Sequence, residues 1–266
     1  MFPGATADRE GADYVVVGAP LDRSTTGAPG TRFGPRQVRA AARSFENYDH
    51  HTGRQFTDLR VYDHGDVGPH GKAAEYLSYL ESLLGEFADA GTVPAVVGGE
   101  HTVSLGGIRA LEPDVFVCLD AHLDLREAYA GNPLSHAVVT RRALETADRA
   151  VVIGARAGSE PEWERAADAD VTVVEPAEAS AWRPAFDGED VYLSLDIDAA
   201  DPGYAPGTGT PEPFGLDPTT LRKLVRAIAP HAVGFDVVEV NDRDDGQAAV
   251  LAAKLLRAFV FAHAAA

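Results

Sequence analysis

Three short apolar runs in this 266-residue chain end in residues that bind metals. Residues 93–97 lead into Gly98-Gly99-Glu100-His101, residues 115–119 into Asp120-Ala121-His122-Leu123-Asp124, and residues 191–195 into Asp196-Ile197-Asp198. Extended backbone points side chains at i, i+2 and i+4 to one side, so Asp120, His122 and Asp124 are expected to project together, as are Asp196 and Asp198. With His101 they make two imidazoles and four carboxylates. That is too many ligands for one catalytic ion, and too much negative charge to gather without cations. Two divalent ions about 3.5–4 Å apart would neutralise it and could share a bridging carboxylate. An oxygen-rich set with two imidazoles suits Mn(II) better than a thiolate-seeking metal. Each block alone has an ordinary reading, as a strand end, a turn or a helix cap. All three together, each closing its own apolar run, argue for one metal centre.

Similar runs recur at residues 14–17, 59–62, 150–153, 171–174 and 232–235. They are Val-rich and continuous rather than alternating, which predicts strands covered on both faces. Between several of them lie helical patterns. Over residues 72–90 the apolar positions Ala73, Tyr76, Leu77, Leu80, Leu83, Leu84 and Phe87 step by three or four, and Gly91 follows as a stop. Gly34-Pro35 opens another helix, and residues 221–228 and 248–262 read as two more. This alternation predicts a parallel α/β fold, with about eight strands closed into a barrel or left as an open sheet. Either form places ligands at the carboxyl ends of its strands. No linker, repeat or low-complexity segment divides the chain, so residues 1–266 are expected to form one domain.

Acidic residues number 41 against 23 basic ones, a formal charge of −18. This disfavours nucleic acid as a partner, since a phosphate backbone needs a basic patch. The single cysteine, Cys118, excludes a disulfide framework and reads as a small core residue. No apolar run approaches the ~18 residues of a membrane helix, and the start Met-Phe-Pro-Gly lacks the features of a signal peptide. A cytoplasmic protein is expected. Only three of the basic residues are lysines (Lys72, Lys223, Lys254), which together with the acidity suggests adaptation to high salt. The melting temperature is then expected to rise between about 0.1 M and about 1 M salt, as the Debye length shrinks from about 10 Å to about 3 Å. A flat or falling profile would leave the arginine usage to a GC-rich genome.

At its metal-binding blocks the sequence resembles the ureohydrolase family of arginases and agmatinases. Gly98-Gly99-Glu100-His101-Thr102-Val103-Ser104, Asp120-Ala121-His122-Leu123-Asp124 and Ser194-Leu195-Asp196-Ile197-Asp198 look like its three signatures in order. The segment Asp201-Pro202-Gly203-Tyr204-Ala205-Pro206-Gly207-Thr208-Gly209-Thr210-Pro211-Glu212-Pro213 is similar to the loop after the third, and Gly30-Thr31-Arg32-Phe33-Gly34-Pro35 to an N-terminal motif. The resemblance implies a three-layer α/β/α sandwich with a mainly parallel eight-stranded sheet, two manganese ions per chain, and a homotrimer or homohexamer. It also implies that His101 and Asp124 bind one ion, His122 and Asp198 the other, and that Asp120 and Asp196 bridge them. His136 would be the proton shuttle, and Glu239 the partner of the substrate guanidinium.

The implied reaction splits a guanidino group into urea and an amine. Arginases carry Ser-Gly-Asn before the shuttle histidine; here residues 125–136 look more like the agmatinase branch, with Gly131-Asn132 a partial echo. Pro211-Glu212-Pro213 also leans toward agmatinase, so agmatine is the expected substrate. Arginine, other guanidino-alkyl compounds, a conjugated guanidino group and formiminoglutamate are the alternatives, as is a regulatory metal-binding protein without turnover. Phe214 and Ala137 stand where relatives often have glycine, and bear on substrate fit.

Overall fold

The computed structural model describes residues 1–68, 71–241 and 243–266. Along the chain run β1 (Tyr14–Ala19), α1 (Gly34–Ala41), a short antiparallel hairpin of β2 (Tyr48–Asp49) and β3 (Arg54–Gln55), β4 (Val61–Asp66), α2 (Ala73–Asp89), β5 (Val93–Gly98), α3 (Ser104–Leu111), β6 (Val115–Leu119) and α4 (Val139–Ala143). There follow β7 (Arg149–Ile153), α5 (Glu160–Arg165), β8 (Val171–Val174), α6 (Pro176–Ala179), β9 (Val191–Asp196), α7 (Pro218–Ile228), β10 (Ala232–Val238) and α8 (Gln247–His263).

Eight of these strands form one parallel sheet in the order β4-β1-β5-β10-β9-β6-β7-β8. The sheet is open, with β4 and β8 as edges, so the barrel is excluded. Period-2 alternation sorts the strand residues between two faces. Val16, Val97, Val117, Leu193 and Val237 join the core under α1, α7 and α8. Val15, Val17 and Val96 pack with Leu80 and Leu84 of α2, and Phe116, Cys118 and Tyr192 pack with residues of α2, α3 and α4. Helices on both faces of one sheet make the three-layer sandwich. Inner strands β1, β6 and β9 are buried throughout, whereas β4 and β8 are only partly so. That is why the continuous Val runs sit inside and the mixed ones at the edges.

Two expectations shift. Residues 56–59 form a 3₁₀ turn, and Arg60 takes a left-handed φ of 48°, so β4 starts at Val61 rather than at residue 59. Leu59 is buried all the same, so its apolar character reported burial and not strand. Helix α3 is one the apolar pattern did not single out: it is only eight residues long, and Gly106 and Gly107 sit beside its buried Leu105 and Ile108. A Cβ on Gly107 would lie 2.2 Å from the Tyr192 hydroxyl, and one on Gly106 2.9 Å from Leu80.

A buried ion pair ties α1 to β4. The Asp63 carboxylate accepts from Arg39 Nε at 2.9 Å and Nη2 at 2.8 Å, and also from the Phe2 and Gly65 amides. Burial pushes the Asp63 carboxyl up, but the Arg39 guanidinium overcomes it and holds the group below the ordinary carboxylate range. Asp63→Asn is expected to lower stability by up to ~3 kcal/mol at pH 7, the low end for breaking a buried pair, because Arg39 loses its buried partner and keeps only the half-exposed Asp66. Since the folded pKa is depressed, the wild-type contribution is present above the unfolded value of about 3.9 and disappears as pH falls below it. Urea midpoints for both proteins should therefore converge in acid. Equal midpoints at pH 7 would show the pair to be neutral.

The order of the sheet matters most in its middle. Strands β5, β10, β9 and β6 are consecutive neighbours there, although β9 and β10 come last in the chain. Their carboxyl ends lie side by side, and the connections on either side run in opposite directions, as at the switch points where open sheets bind ligands.

Candidate active site

These four ends carry the expected residues: Glu100-His101 after β5, Asp120 after β6, Asp196 as the last residue of β9, and Glu239 after β10. They converge by a different route from simple strand alternation. Beyond β6 the chain stays extended only as far as an isolated parallel bridge from His122 to Ala157, and Asp124 then turns into the left-handed region at φ 51°. Beyond Asp196 the chain closes into a 3₁₀ turn, Ile197–Ala199, with Asp196 accepting from the Asp198 amide at 2.9 Å. Glu239 sits at φ 60° and donates its amide to the Gly99 carbonyl at 2.8 Å. Non-glycine residues at such φ values are uncommon and gather at functional sites. Phe214, at φ 67°, is another, which explains why glycine suits that position.

The six candidate ligands form one cluster. His101 Nδ1 lies 2.9 Å from Asp124, 3.2 Å from Asp120 and 3.7 Å from Asp196. His122 Nδ1 lies 3.0 Å from Asp198 and 3.7 Å from Asp120. Asp120 is thus the carboxylate that reaches both imidazoles. Ligand atoms of Asp120, His122 and Asp198 all fall within 4.8 Å of one another, and those of His101, Cys118 and Asp120 do likewise.

Protons supply the positive charge these carboxylates need. Burial alone would lower His122, yet Asp198 and Asp120 push it up to about 12. His101 is also raised well above an ordinary histidine: burial opposes this, and Cys118, Asp120 and Asp124 prevail. Burial, with help from Asp120, raises Asp124 to about 6, and burial followed by Asp198, Asp120 and Glu239 raises Asp196 well above its usual range. Asp120 goes the other way, because the two imidazoles outweigh its burial. Oxygen and imidazole donors so crowded that they hold protons fit divalent cations, which would displace those protons on binding.

A cleft of about 310 Å³ opens onto the cluster, lined in part by Asp120, His122, Asp124, Asp196 and Asp198. His136 also lines it, held by its amide to Ser24 Oγ at 2.9 Å and by Nε2 to Thr26 Oγ1 at 3.2 Å. Burial, then the charges of His101 and His122, lowers His136 to about 4. Glu239 does not line the cleft. It lies behind His136, with Oε1 3.6 Å from Nδ1 of that ring and accepting from the His101 amide at 2.8 Å. Its Oε2 is buried with no hydrogen-bond partner, and burial raises its pKa well above the usual.

Several contributors escaped the sequence reading. Cys118 is more than filler: its Sγ lies 3.6 Å from His101 Nε2 and 3.5 Å from Asp120. Ser194 also meets His101 Nε2, at 3.1 Å, and donates at 2.6 Å to the buried Asp236, so the ring is steered from behind. Glu100 accepts from the Arg23 and Ser24 amides and fixes the loop that bears Thr26. Arg156 donates to the carbonyls of Asp198 (2.8 Å), Glu212 (2.7 Å) and Pro213 (3.0 Å), pinning the Asp198 turn to the loop after it. Glu100 and Ser194 lie inside the quoted signatures, but no pattern marks what they do, because their partners are backbone groups or distant strands.

Comparison with known proteins agrees with this geometry. The model of the arginase family matches residues 12–262. The chain is 35% identical to an agmatinase of Bacillus anthracis, over 93% of this chain and 91% of that protein. It is also 35% identical to an N(1)-aminopropylagmatine ureohydrolase of Thermococcus kodakarensis, over 93% and 89%. The crystal structure of an agmatine ureohydrolase of Thermoplasma volcanium superposes with a TM-score of 0.93 at 34% identity, covering 99% of this chain and 94% of that one. The chain belongs to the arginase family, as a hydrolase of guanidino C–N bonds on the agmatinase branch.

Proposed function

We propose that the chain hydrolyses agmatine to urea and putrescine at a centre of two manganese ions, as a cytoplasmic homotrimer or homohexamer serving polyamine biosynthesis. His101 and Asp124 would hold one ion and His122 and Asp198 the other, with Asp120 and Asp196 available to both. Bound there, the ions supply an acidified water as nucleophile and a positive field for the charge that develops. The chain's own residues do the rest. The Oε2 of Glu239 is a buried acceptor without a hydrogen-bond partner, and it takes up a guanidinium N–H, the charge-assisted bond a carboxylate makes best, only when the His136 ring in front of it moves aside. His136, neutral at pH 7, takes up a proton on its ring and holds it weakly, so the proton passes readily to the departing amine.

The charge of the cleft is the observation that carries the substrate. Among its lining residues the one arginine or lysine is Arg126, and that guanidinium is committed to Glu162 at 3.0 Å and stacks on Tyr129. Among the described lining residues no arginine or lysine is left free for an α-carboxylate. Agmatine, which has no carboxylate to leave unpaired, fits better than arginine.

Urea release from agmatine, arginine, guanidinobutyrate and N(1)-aminopropylagmatine, with added manganese, tests this. The expected kcat/KM for agmatine exceeds that for either carboxylate-bearing compound by about 100-fold or more, the scale on which an unpaired group is rejected. The Thermococcus kodakarensis relative makes aminopropylagmatine the second candidate, and a preference for it would keep the chemistry but lengthen the substrate. Preference for arginine would overturn the reading of the cleft.

A further inference from the structure

A second cavity, of about 610 Å³, shares no lining residue with the cleft. It lies between α7, α8 and the β2–β3 hairpin, and its charge is opposite to that of the rest of the chain. Arg222 and Arg226 face it from α7, one helical turn apart, and Lys254 and Arg257 from α8, with His50 and His51 at the hairpin. The acidic residues lining it are Glu46 and Asp49.

These cations are poorly compensated. Arg226 reaches Asp49 at 3.7 Å, and among the described residues Arg222, Lys254 and Arg257 form no ion pair. Lys254 instead lies 3.9 Å over the Phe45 ring, and Arg257 4.7 Å over Phe56. Scarcity of acid is not the reason, since the chain has 41 carboxylates for 23 bases. Like charges one turn apart repel, and low-dielectric walls concentrate their field. The positive field also reaches His51, which desolvation and then His50, Arg226 and Arg222 push down.

We propose that this cavity binds a small organic polyanion, with two or more negative charges set on a flat or apolar body. The charge requirement comes from the four cations. The body is required because Tyr204, Leu251 and Phe261 share the lining, and because the volume falls within the 300–1,000 Å³ typical of pockets for drug-sized ligands, far more than a bare phosphate fills. The site stands apart from the proposed reaction and does not depend on its substrate.

ADP, citrate, pyrophosphate and adenosine serve as probes, by calorimetry and by thermal shift at an ionic strength of about 0.15 M, where the Debye length is about 8 Å. ADP is expected to raise the melting midpoint in a saturable way, pyrophosphate to act more weakly, and adenosine not at all. Citrate carries carboxylate charge without a flat or apolar body and should, like pyrophosphate, bind more weakly than ADP; either of them binding as tightly as ADP overturns the requirement for a body. The R222E/R226E variant should lose ADP binding by at least tenfold yet keep urea-releasing activity, which shows that it is folded. No binding of any anion overturns the proposal, and so does unchanged ADP binding in R222E/R226E. If the same variant instead disperses an oligomer whose stability is indifferent to all four probes, the cavity is an interface with acidic groups of a second copy, and the proposal likewise fails.

Discussion

Replacing Asp120 with alanine should cost the protein both of its proposed metal ions at once, and urea release should fall by at least about 10²–10³-fold, the effect of losing one preorganised electrostatic group. The expectation follows from reach. One oxygen of Asp120 lies 3.2 Å from His101 and the other 3.7 Å from His122, so a single carboxylate joins the two halves of the cluster. The other ligands give the contrast. Asp124 meets His101 at 2.9 Å, and Asp198 meets His122 at 3.0 Å. Asp124→Ala and Asp198→Ala should each weaken one ion and leave about one per chain, whereas Asp120→Ala should leave fewer. Metal content by plasma mass spectrometry, after manganese loading and removal of free ion, reads the difference directly. Two ions retained in Asp120→Ala, with activity intact, would remove the bridging role and with it the reason for pairing these six residues. Chelation of the wild type should abolish urea release and manganese should restore it.

The residues of this cluster were legible because three blocks of metal-ligand types occur together, each closing a Val-rich strand buried on both faces. How they meet was not legible. Extended backbone accounts for His122, through its bridge to Ala157, but Asp124 arrives by a left-handed turn and Asp198 by a 3₁₀ turn. That these residues converge was thus expected for a partly wrong geometric reason. Helix α3 was obscured by its length: its apolar stripe is only Leu105 and Ile108, interrupted by the glycines that meet Leu80 and Tyr192. The first limit also explains Arg156, whose guanidinium serves backbone carbonyls that no motif encodes. The basic cavity was hidden for a third reason. Its four cations come from two helices, α7 and α8, with β10 between them in the chain, and a total charge of −18 gives no hint of a positive enclave.

His136→Ala and Glu239→Gln should separate proton delivery from substrate capture. His136→Ala is expected to lower kcat by about 10²–10⁴-fold with little change in KM, because its ring is needed only when the amine departs. Glutamine at position 239 can still accept from the His101 amide, now held at 2.8 Å by Oε1, so the metal cluster should stay in place. What it loses is the charge that would pair with a guanidinium, and kcat/KM should fall by about 10²-fold or more, as for a truncated buried charge pair. The two side chains also lie 3.6 Å apart, so their effects should not be independent. A Glu239→Gln enzyme orients substrate poorly, which leaves His136 less to do. The double variant should therefore lose less than the product of the single losses. Strict multiplicativity would mean that Glu239 acts on the substrate alone and that its contact with the His136 ring has no bearing on the reaction. Wild-type kinetics in both single variants would be more damaging, because the proton shuttle and the guanidinium partner would then have to lie elsewhere in the cleft even with the metal cluster intact.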